Sequence, residues 1–287
     1  METVNPSDMC FKPTIKRLYA LCGFIFLLGS CDKAELVTYD HPANIYFDLD
    51  DDENPGASLR DSIVYTFAYD MTKAQDTVFI PVRLSGFREN RERRYEVAVD
   101  QDSSTAAPGT HYEALQPSYP MAANAGTAFL PLIVYNTADL EETAVSLVLK
   151  LRPSADFGIE NPDLIRAKVV VSAQLEQPQW WSMWLGAYSR TKHQLFLLVT
   201  DQTELSMDGL DAPKNLYFAQ MLTMMLNNPF GWVQDHPEKG YVLEPLEAGN
   251  TERYHFYHEN NPGRTILLRQ NASGMYFFID ENGEEVR

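Results

Sequence analysis

The sequence predicts a mainly β protein, with an N-terminal antiparallel β-sandwich of immunoglobulin-like size followed by a smaller mixed α/β region. Three observations predict this fold class. Apolar and polar residues alternate in short runs between residues 44 and 176, turn residues separate the runs, and helical spacing begins after residue 177. A period of two is typical of strands that bury one face.

The predicted N-terminal strands are runs in which every second residue is apolar. There are about seven, at residues 45–47, 63–69, 78–84, 95–99, 129–135, 145–151 and 169–175. The turn sequences between them are Asn54-Pro55-Gly56, Ser85-Gly86, Ala107-Pro108-Gly109 and Asn161-Pro162. This half has no long amphipathic helical pattern, so we assign residues 44–176 to one β-sandwich domain.

Residues 177–287 form the predicted C-terminal domain, which is rich in aromatic residues. Trp181, Trp184 and Tyr188 are spaced at i, i+3 and i+7, which places them on one face of a predicted helix. A second helix is predicted at 215–227, where Asn227-Asn228-Pro229 ends it. The apolar run 195–199 is not assigned to a helix or to a strand. Strands are predicted at residues 253–257, 265–268 and 275–279.

The first 30 residues resemble the signal peptide of a bacterial lipoprotein. Basic residues precede an apolar run at 18–28, and Gly29-Ser30 leads directly to Cys31. This run of about 11 residues is too short for a membrane-spanning helix, which needs about 20. We expect cleavage before Cys31, acylation of its thiol, and a tether over residues 31–43. The alternative is a cleaved secretory signal or an anchor in which Cys31 is incidental.

The start of translation and the cysteine content bear on this prediction. Initiation at Met9 instead of Met1 would give the signal peptide more usual proportions. Cys10, Cys22 and Cys31 are the only cysteines. The processed body would therefore contain no disulfide and no cysteine nucleophile or metal site.

The chain is strongly acidic, with 40 Asp and Glu against 23 Lys and Arg and a net charge of −17. Such a charge repels nucleic acid and anionic lipid headgroups. We therefore expect no nucleic-acid partner, and we expect membrane attachment through acyl chains alone.

Short sequences within residues 44–200 carry a family resemblance. They are Asp61-Ser62-Ile63, the run from Ile80 to Gly86, the run from Ala107 to Tyr112, Trp180-Trp181, and Leu185 to Ser189 with Lys192. Together they resemble an uncharacterised family of Bacteroidetes lipoproteins, a domain of unknown function. Members are often encoded beside polysaccharide-uptake systems. The resemblance implies a carbohydrate context at the outer membrane, on the cell surface or in the periplasm.

The turn at 106–112 also resembles that of Calx-β sandwiches, some of which bind calcium through acidic residues at one end. The acidic candidates here are Asp48, Asp50, Asp51, Asp52, Glu53, Asp139, Glu141 and Glu142. An EF-hand is excluded, because its glycine position holds Glu53 and its final glutamate position holds Leu59. We predict no cofactor, with calcium as the alternative.

The sequence shows no nucleophile elbow and no phosphate-binding glycine loop. His255 and His258 have metal-ligand spacing, but in a strand they would point to opposite faces. We therefore predict that the chain is not an enzyme. A carboxylate pair for glycoside hydrolysis is the less favoured alternative, since such pairs are recognised only in space.

All four tryptophans lie between residues 180 and 232. Sugars stack on aromatic faces, and loops concentrate binding residues, so Trp232 and Trp180 are the predicted ligand-binding residues. The alternative is that Trp232 closes the interface between the two domains. Ser62 and Thr77 follow aspartates in sequences resembling the O-glycosylation sequon of these bacteria; the alternative is that both residues only begin strands.

Taken together, these features predict a non-catalytic lipoprotein that binds glycan or supports a polysaccharide-uptake complex. Its expected partners are the membrane, through the lipid, and either a polysaccharide or a protein of the uptake complex. The alternative is a structural or adhesion module that docks a protein partner.

Overall fold

Eight strands form two sheets in the N-terminal residues that the structure describes. The computed structural model describes residues 42–49 and 62–287. The predicted signal peptide, Cys31, most of the tether and the acidic residues at 50–53 lie outside the described residues. The strands are β1 (Asn44–Phe47), β2 (Ser62–Thr66), β3 (Gln75–Ser85), β4 (Arg93–Val99), β5 (Tyr119–Met121), β6 (Thr127–Tyr135), β7 (Val145–Arg152) and β8 (Arg166–Ser172).

The strand order is β1-β3-β6 in one sheet and β2-β8-β7-β4-β5 in the other. The mainly β fold class and its sandwich are confirmed. One pairing departs from the antiparallel prediction, because β2 runs parallel to β8, from Ser62 opposite Lys168 to Thr66 opposite Ser172. A parallel pair needs a long connection. Here the five strands from β3 to β7 lie between the two paired strands in the sequence, so the requirement is met.

The two sheets share one hydrophobic core built from the alternating residues that the sequence indicates. Its central members include Ile80 and Val82 of β3, Leu130 and Leu132 of β6, and Leu149 and Leu151 of β7, each at most 1% exposed. Burying a side chain of this size contributes roughly 1.5–3 kcal/mol. The three-residue strand β5 is too short to show a period, and the sequence did not predict it.

The C-terminal part combines four helices with a four-stranded antiparallel sheet. The helices are α1 (Trp181–Trp184), α2 (Arg190–Thr200), α3 (Ala212–Asn227) and α4 (Pro229–Asp235). The strands are β9 (Tyr241–Pro245), β10 (Arg253–His258), β11 (Asn261–Gln270) and β12 (Tyr276–Ile279), in the order β12-β11-β10-β9. The predicted helix at 215–227 and the three predicted strands are confirmed, whereas β9 was missed.

The predicted helix through Trp181 and Tyr188 is wrong in its length. Helix α1 ends after one turn, Gly186 adopts a φ of 69°, and Ser189 then begins α2 by accepting a hydrogen bond from the Lys192 amide. A glycine in this left-handed region is a common way to end a helix. The unassigned run 195–199 lies in α2.

A second hydrophobic core joins these helices to the sheet and contains Trp181, Phe196, Leu222, Met225, Phe256 and Phe278. The described residues belong to one compact unit. The division into two domains at residue 177 stays a prediction. Among the described residues, no helix combines the length and the apolar character needed to cross a bilayer.

His193, in α2, predicts how stability depends on pH. It is 1% exposed, and its ring lies 4.9 Å from that of Trp181. Burial lowers the pKa of His193 from 6.5 to about 4. Between these values the unfolded chain binds the proton and the folded chain does not. Stability is therefore present above pH 6.5 and is lost as the pH falls, by up to roughly 3 kcal/mol at pH 4.

We expect His193→Gln to remove this part of the acid sensitivity. The measurement is urea unfolding at pH 7 and pH 4.5, and His255→Gln, at an exposed position of β10, is the matched control. Carboxyl groups also titrate as the pH falls. The informative quantity is therefore the loss of unfolding free energy between pH 7 and pH 4.5, compared between the variants and the wild type. Equal acid sensitivity in the wild type and His193→Gln would show that this histidine is not responsible.

Candidate functional site

A groove follows the line where the sandwich meets the C-terminal part. It consists of a larger cleft of about 340 Å³ and a smaller cleft of about 310 Å³, and both are lined by Met71 and Gln194. We call the two clefts together the junction groove. Their volumes are at the lower end of the range for small-molecule sites, which often lie between packed units.

The connection between β2 and β3, residues 67–74, forms one wall of the junction groove. Buried Asn261 donates to the carbonyl oxygens of Met71 at 3.0 Å and Lys73 at 3.1 Å, and buried Asn136 donates to the Lys73 oxygen at 2.8 Å. The Asp70 carboxylate accepts from the Thr72 amide and hydroxyl at 3.0 and 2.6 Å. These contacts hold the wall in one conformation.

The smaller cleft combines an exposed aromatic ring with polar groups. Tyr69, in the 67–74 wall, is 57% exposed and lines this cleft. Asp70 follows it directly, and across the cleft the Lys239 ammonium donates to both carboxylate oxygens of Asp201, at 2.9 and 2.8 Å. A flat ring beside hydrogen-bonding side chains is the arrangement that can hold the apolar face and the hydroxyl edge of a sugar.

The larger cleft is built around Glu141, which lies at the end of a short 3₁₀ helix of the sandwich. Its carboxylate accepts hydrogen bonds from Arg264 and from Gln194, the latter at 2.5 Å, and it forms an ion pair with Arg190 at 3.3 Å. Arg264 also donates to the Thr137 carbonyl at 2.9 Å. Burial lowers the pKa of Arg264, and the adjacent Glu141 carboxylate opposes that shift.

Glu281, which also lines the larger cleft, caps the start of α2. Its carboxylate accepts from the amides of Arg190 and Thr191, at 2.6 and 3.1 Å, and from the Thr191 hydroxyl at 3.0 Å. Burial raises the pKa of Glu281, but these hydrogen bonds outweigh it and the net direction is downward. The principal polar groups of the larger cleft therefore bind one another, and they hold α2 and β11 against the sandwich.

The structure contradicts the prediction that Trp180 and Trp232 offer rings to a ligand. Both belong to the second hydrophobic core, at 6% and 9% exposure. Trp232 lies in α4 instead of a loop, and its ring stacks on His236 at 4.8 Å. Trp180 packs on Phe196 at 5.6 Å. Their apolar surface is used to close the core, so neither ring lines the junction groove.

The acidic candidates for calcium already bind protein groups where the structure describes them. Asp139 accepts a hydrogen bond from His111 at 2.8 Å, whereas Glu142 forms an ion pair with Arg190 at 2.7 Å and Asp48 with Arg83 at 2.5 Å. Within residues 42–49 and 62–287, no three metal-ligating side chains come together. The acidic residues at 50–53 lie outside those ranges, so calcium binding there stays a prediction.

The two predicted glycosylation positions are half-buried strand residues. Ser62 begins β2, and Thr77 is in β3, where its amide donates to Asp76 at 2.7 Å. Hydrogen bonds from the Lys73 ammonium and Tyr65 hydroxyl, with that amide, lower the pKa of Asp76 to about 2. Modification of Ser62 or Thr77 stays a prediction.

Sequence reasoning missed Tyr69 as a site residue. It continues the alternation of Ile63, Tyr65 and Phe67 and was therefore assigned to a strand, but β2 ends at Thr66. The turn signal available was weak, because residues 70–74 contain neither glycine nor proline.

The contact between Glu141 and Arg264 spans 123 positions and has no local signal in the sequence.

The fold is that of a β-sandwich protein with an attached α/β part. Residues 39–202 match the family described as Domain of unknown function (DUF4843), and the chain belongs to this family. This confirms the resemblance to a family of unknown function. No curated protein matches the chain.

Several solved structures resemble parts of the chain. The CBD12 region of CALX1.2 has 17% identity and a TM-score of 0.30, over 45% of this chain and 43% of that one. A protein of unknown function from Bacteroides ovatus has 17% identity and a TM-score of 0.34, and the match covers 44% of this chain and 43% of that one. A Bacteroides ovatus ATCC 8483 protein whose name proposes carbohydrate binding has 10% identity and a TM-score of 0.31. The match covers 46% of this chain and 38% of that one.

The chain thus spans less than half the length of these three structures. Because all three TM-scores are low, the sandwich assignment rests on the strands and their pairing.

Proposed function

We propose that the protein is a non-catalytic lipoprotein of the outer membrane, exposed at the cell surface, that binds glycan for a polysaccharide-uptake system. The observation that carries the glycan proposal is the exposed Tyr69 ring on the wall of the polar junction groove. The lipobox at Cys31 and the carbohydrate context implied by the family resemblance support the location.

The chemistry of the groove favours a neutral glycan. Each cation that lines it is paired with a carboxylate: Lys239 with Asp201, and Arg190 and Arg264 with Glu141. An acidic sugar would have to break such a pair, and it would also meet Asp70. A neutral sugar could place a C–H face on Tyr69 and its hydroxyls beside the Asp70 and Asp201 carboxylates.

We expect Tyr69→Ala to weaken binding of a neutral polysaccharide by about tenfold or more, because the ring supplies the stacking surface. The measurement is affinity gel electrophoresis against plant, mucin and microbial polysaccharides, followed by calorimetry with the best of them. Phe129→Ala is the matched control, since Phe129 is 60% exposed but lines neither cleft.

Two results would contradict the proposal. The first is the absence of binding to every polysaccharide tested. The second is equal affinity in the wild type and Tyr69→Ala, which would remove the junction groove as the site. If the protein holds glycan without cleaving it, prolonged incubation with a bound polysaccharide should release no reducing ends.

A pair of exposed apolar rings supports the alternative function, a structural or adhesion module that docks a protein. Phe79 and Phe129 are 62% and 60% exposed on the outer face of the β3–β6 pair. Phe79 lies opposite Pro131, and Pro81 lies opposite Phe129. For this function, a Phe79→Ser, Phe129→Ser double variant should lose association with a membrane protein of the uptake complex, whereas Tyr69→Ala should retain it.

A further inference from the structure

Helix α3 carries an uncharged stripe on its exposed side. The stripe consists of Pro213, Leu216, Tyr217, Gln220, Thr223, Met224 and Asn227, all of which are exposed. We call these seven residues the α3 stripe. Leu216, Tyr217 and Met224 are 57%, 60% and 63% exposed. A surface helix of a soluble protein normally places charged residues on this side.

The charge distribution around α3 is unusual for this chain. Between residues 212 and 234 the only charged residue is Lys214, although the net charge of the whole chain is −17. A second copy of the protein repels the first over most of its acidic surface. The α3 stripe carries no carboxylate, so it is the face at which two copies can approach with little repulsion. An anionic lipid surface would face the same overall repulsion.

The order of residues in the α3 stripe is self-complementary. In an antiparallel pair of α3 helices centred on Gln220, Leu216 of one copy lies opposite Met224 of the other, and the reverse pair forms by symmetry. Tyr217 lies opposite Thr223, and Pro213 opposite Asn227. A twofold interface requires this kind of match, because the same patch is used on both subunits.

Lys214 lies off the α3 stripe. Its ammonium is over the ring of half-buried Phe218, 5.9 Å from the ring centroid, so the stripe itself stays uncharged. The two Gln220 amides meet at the symmetry axis, where each can donate to the other.

We propose that the α3 stripe is the interface of a twofold-symmetric homodimer, with the two α3 helices antiparallel and Gln220 at the axis. The pair of helices would be about 24 Å long. This inference is independent of the glycan proposal, because no residue of the α3 stripe lines the junction groove.

The test uses sedimentation velocity over a wide range of protein concentrations, on the protein lacking its first 31 residues, because the described residues form a compact unit. We expect a reversible dimer. Gln220→Glu and Gln220→Lys each place two like charges at the axis, and each should raise the dissociation constant about tenfold or more. An equimolar mixture of the two variants should recover the dimer, because it pairs opposite charges.

Gln234→Glu and Gln234→Lys are the matched controls, since Gln234 is exposed on α4 outside the stripe. A wild-type protein that stays monomeric at every concentration would contradict the proposal. So would a dimer that the Gln220 charges do not weaken, or weakened variants that the mixture fails to restore. A monomer that floats with vesicles of phosphatidylethanolamine and phosphatidylglycerol would show that the stripe contacts lipid instead.

Discussion

Glu141→Ala should lower the free energy of unfolding by about 3–5 kcal/mol. The Glu141 carboxylate accepts hydrogen bonds from Arg264 and Gln194 and forms an ion pair with Arg190. The Arg264 and Arg190 side chains are only 7% and 16% exposed. Removing the carboxylate leaves the buried Arg264 guanidinium without its carboxylate partner, at the contact that holds β11 and α2 on the sandwich.

The next residue supplies the control. Glu142 also pairs with Arg190, but its side chain is 71% exposed. Exposed ion pairs contribute little, so Glu142→Ala should cost less than about 1 kcal/mol. Urea unfolding of both variants at pH 7 makes the comparison. Equal losses at positions 141 and 142 would show that Glu141 does not hold the two parts together.

Cys31→Ser should abolish membrane attachment. In the proposed lipoprotein the acyl chains on Cys31 are the anchor, and a chain with a net charge of −17 is repelled by anionic lipid headgroups. The serine variant should be released into the soluble fraction, without a lipid label. The measurements are detergent-phase partitioning and incorporation of radiolabelled palmitate in the native host.

Cys22→Ser is the matched control, because it removes a cysteine from the apolar run but leaves Cys31 in place. It should partition and label like the wild type. Recovery of the wild-type protein in the cytosol, unprocessed and without palmitate, would overturn the location. If Cys31→Ser partitions into detergent as the wild type does, another part of the chain attaches the protein to the membrane.

Local patterns in the sequence predicted most of the fold. The alternation in β3, β6 and β7 is visible because each strand has one face in the core and one toward solvent. The helix at 215–227 was predicted from its spacing and from the Pro229 that follows it. These features are encoded within a dozen neighbouring residues, which is the range over which a period can be recognised.

Features that depend on distant residues could not be predicted. The parallel pairing of β2 with β8 joins strands about 100 positions apart, and Glu141 meets Arg264 across 123 positions. Dependence on distant residues also explains why Trp180 and Trp232 were wrongly predicted to bind a ligand. Their aromatic character suits both a ligand site and a core, and only the packing of α2, α4 and the C-terminal sheet decides between the two.

The most direct test of the glycan proposal is a crystal structure of the protein with an oligosaccharide that it binds. We predict an ordered sugar ring against Tyr69, with hydroxyl groups near Asp70 and the Asp201–Lys239 pair. A sugar seated on Phe79 and Phe129, or anywhere outside the junction groove, would contradict the assignment of the site.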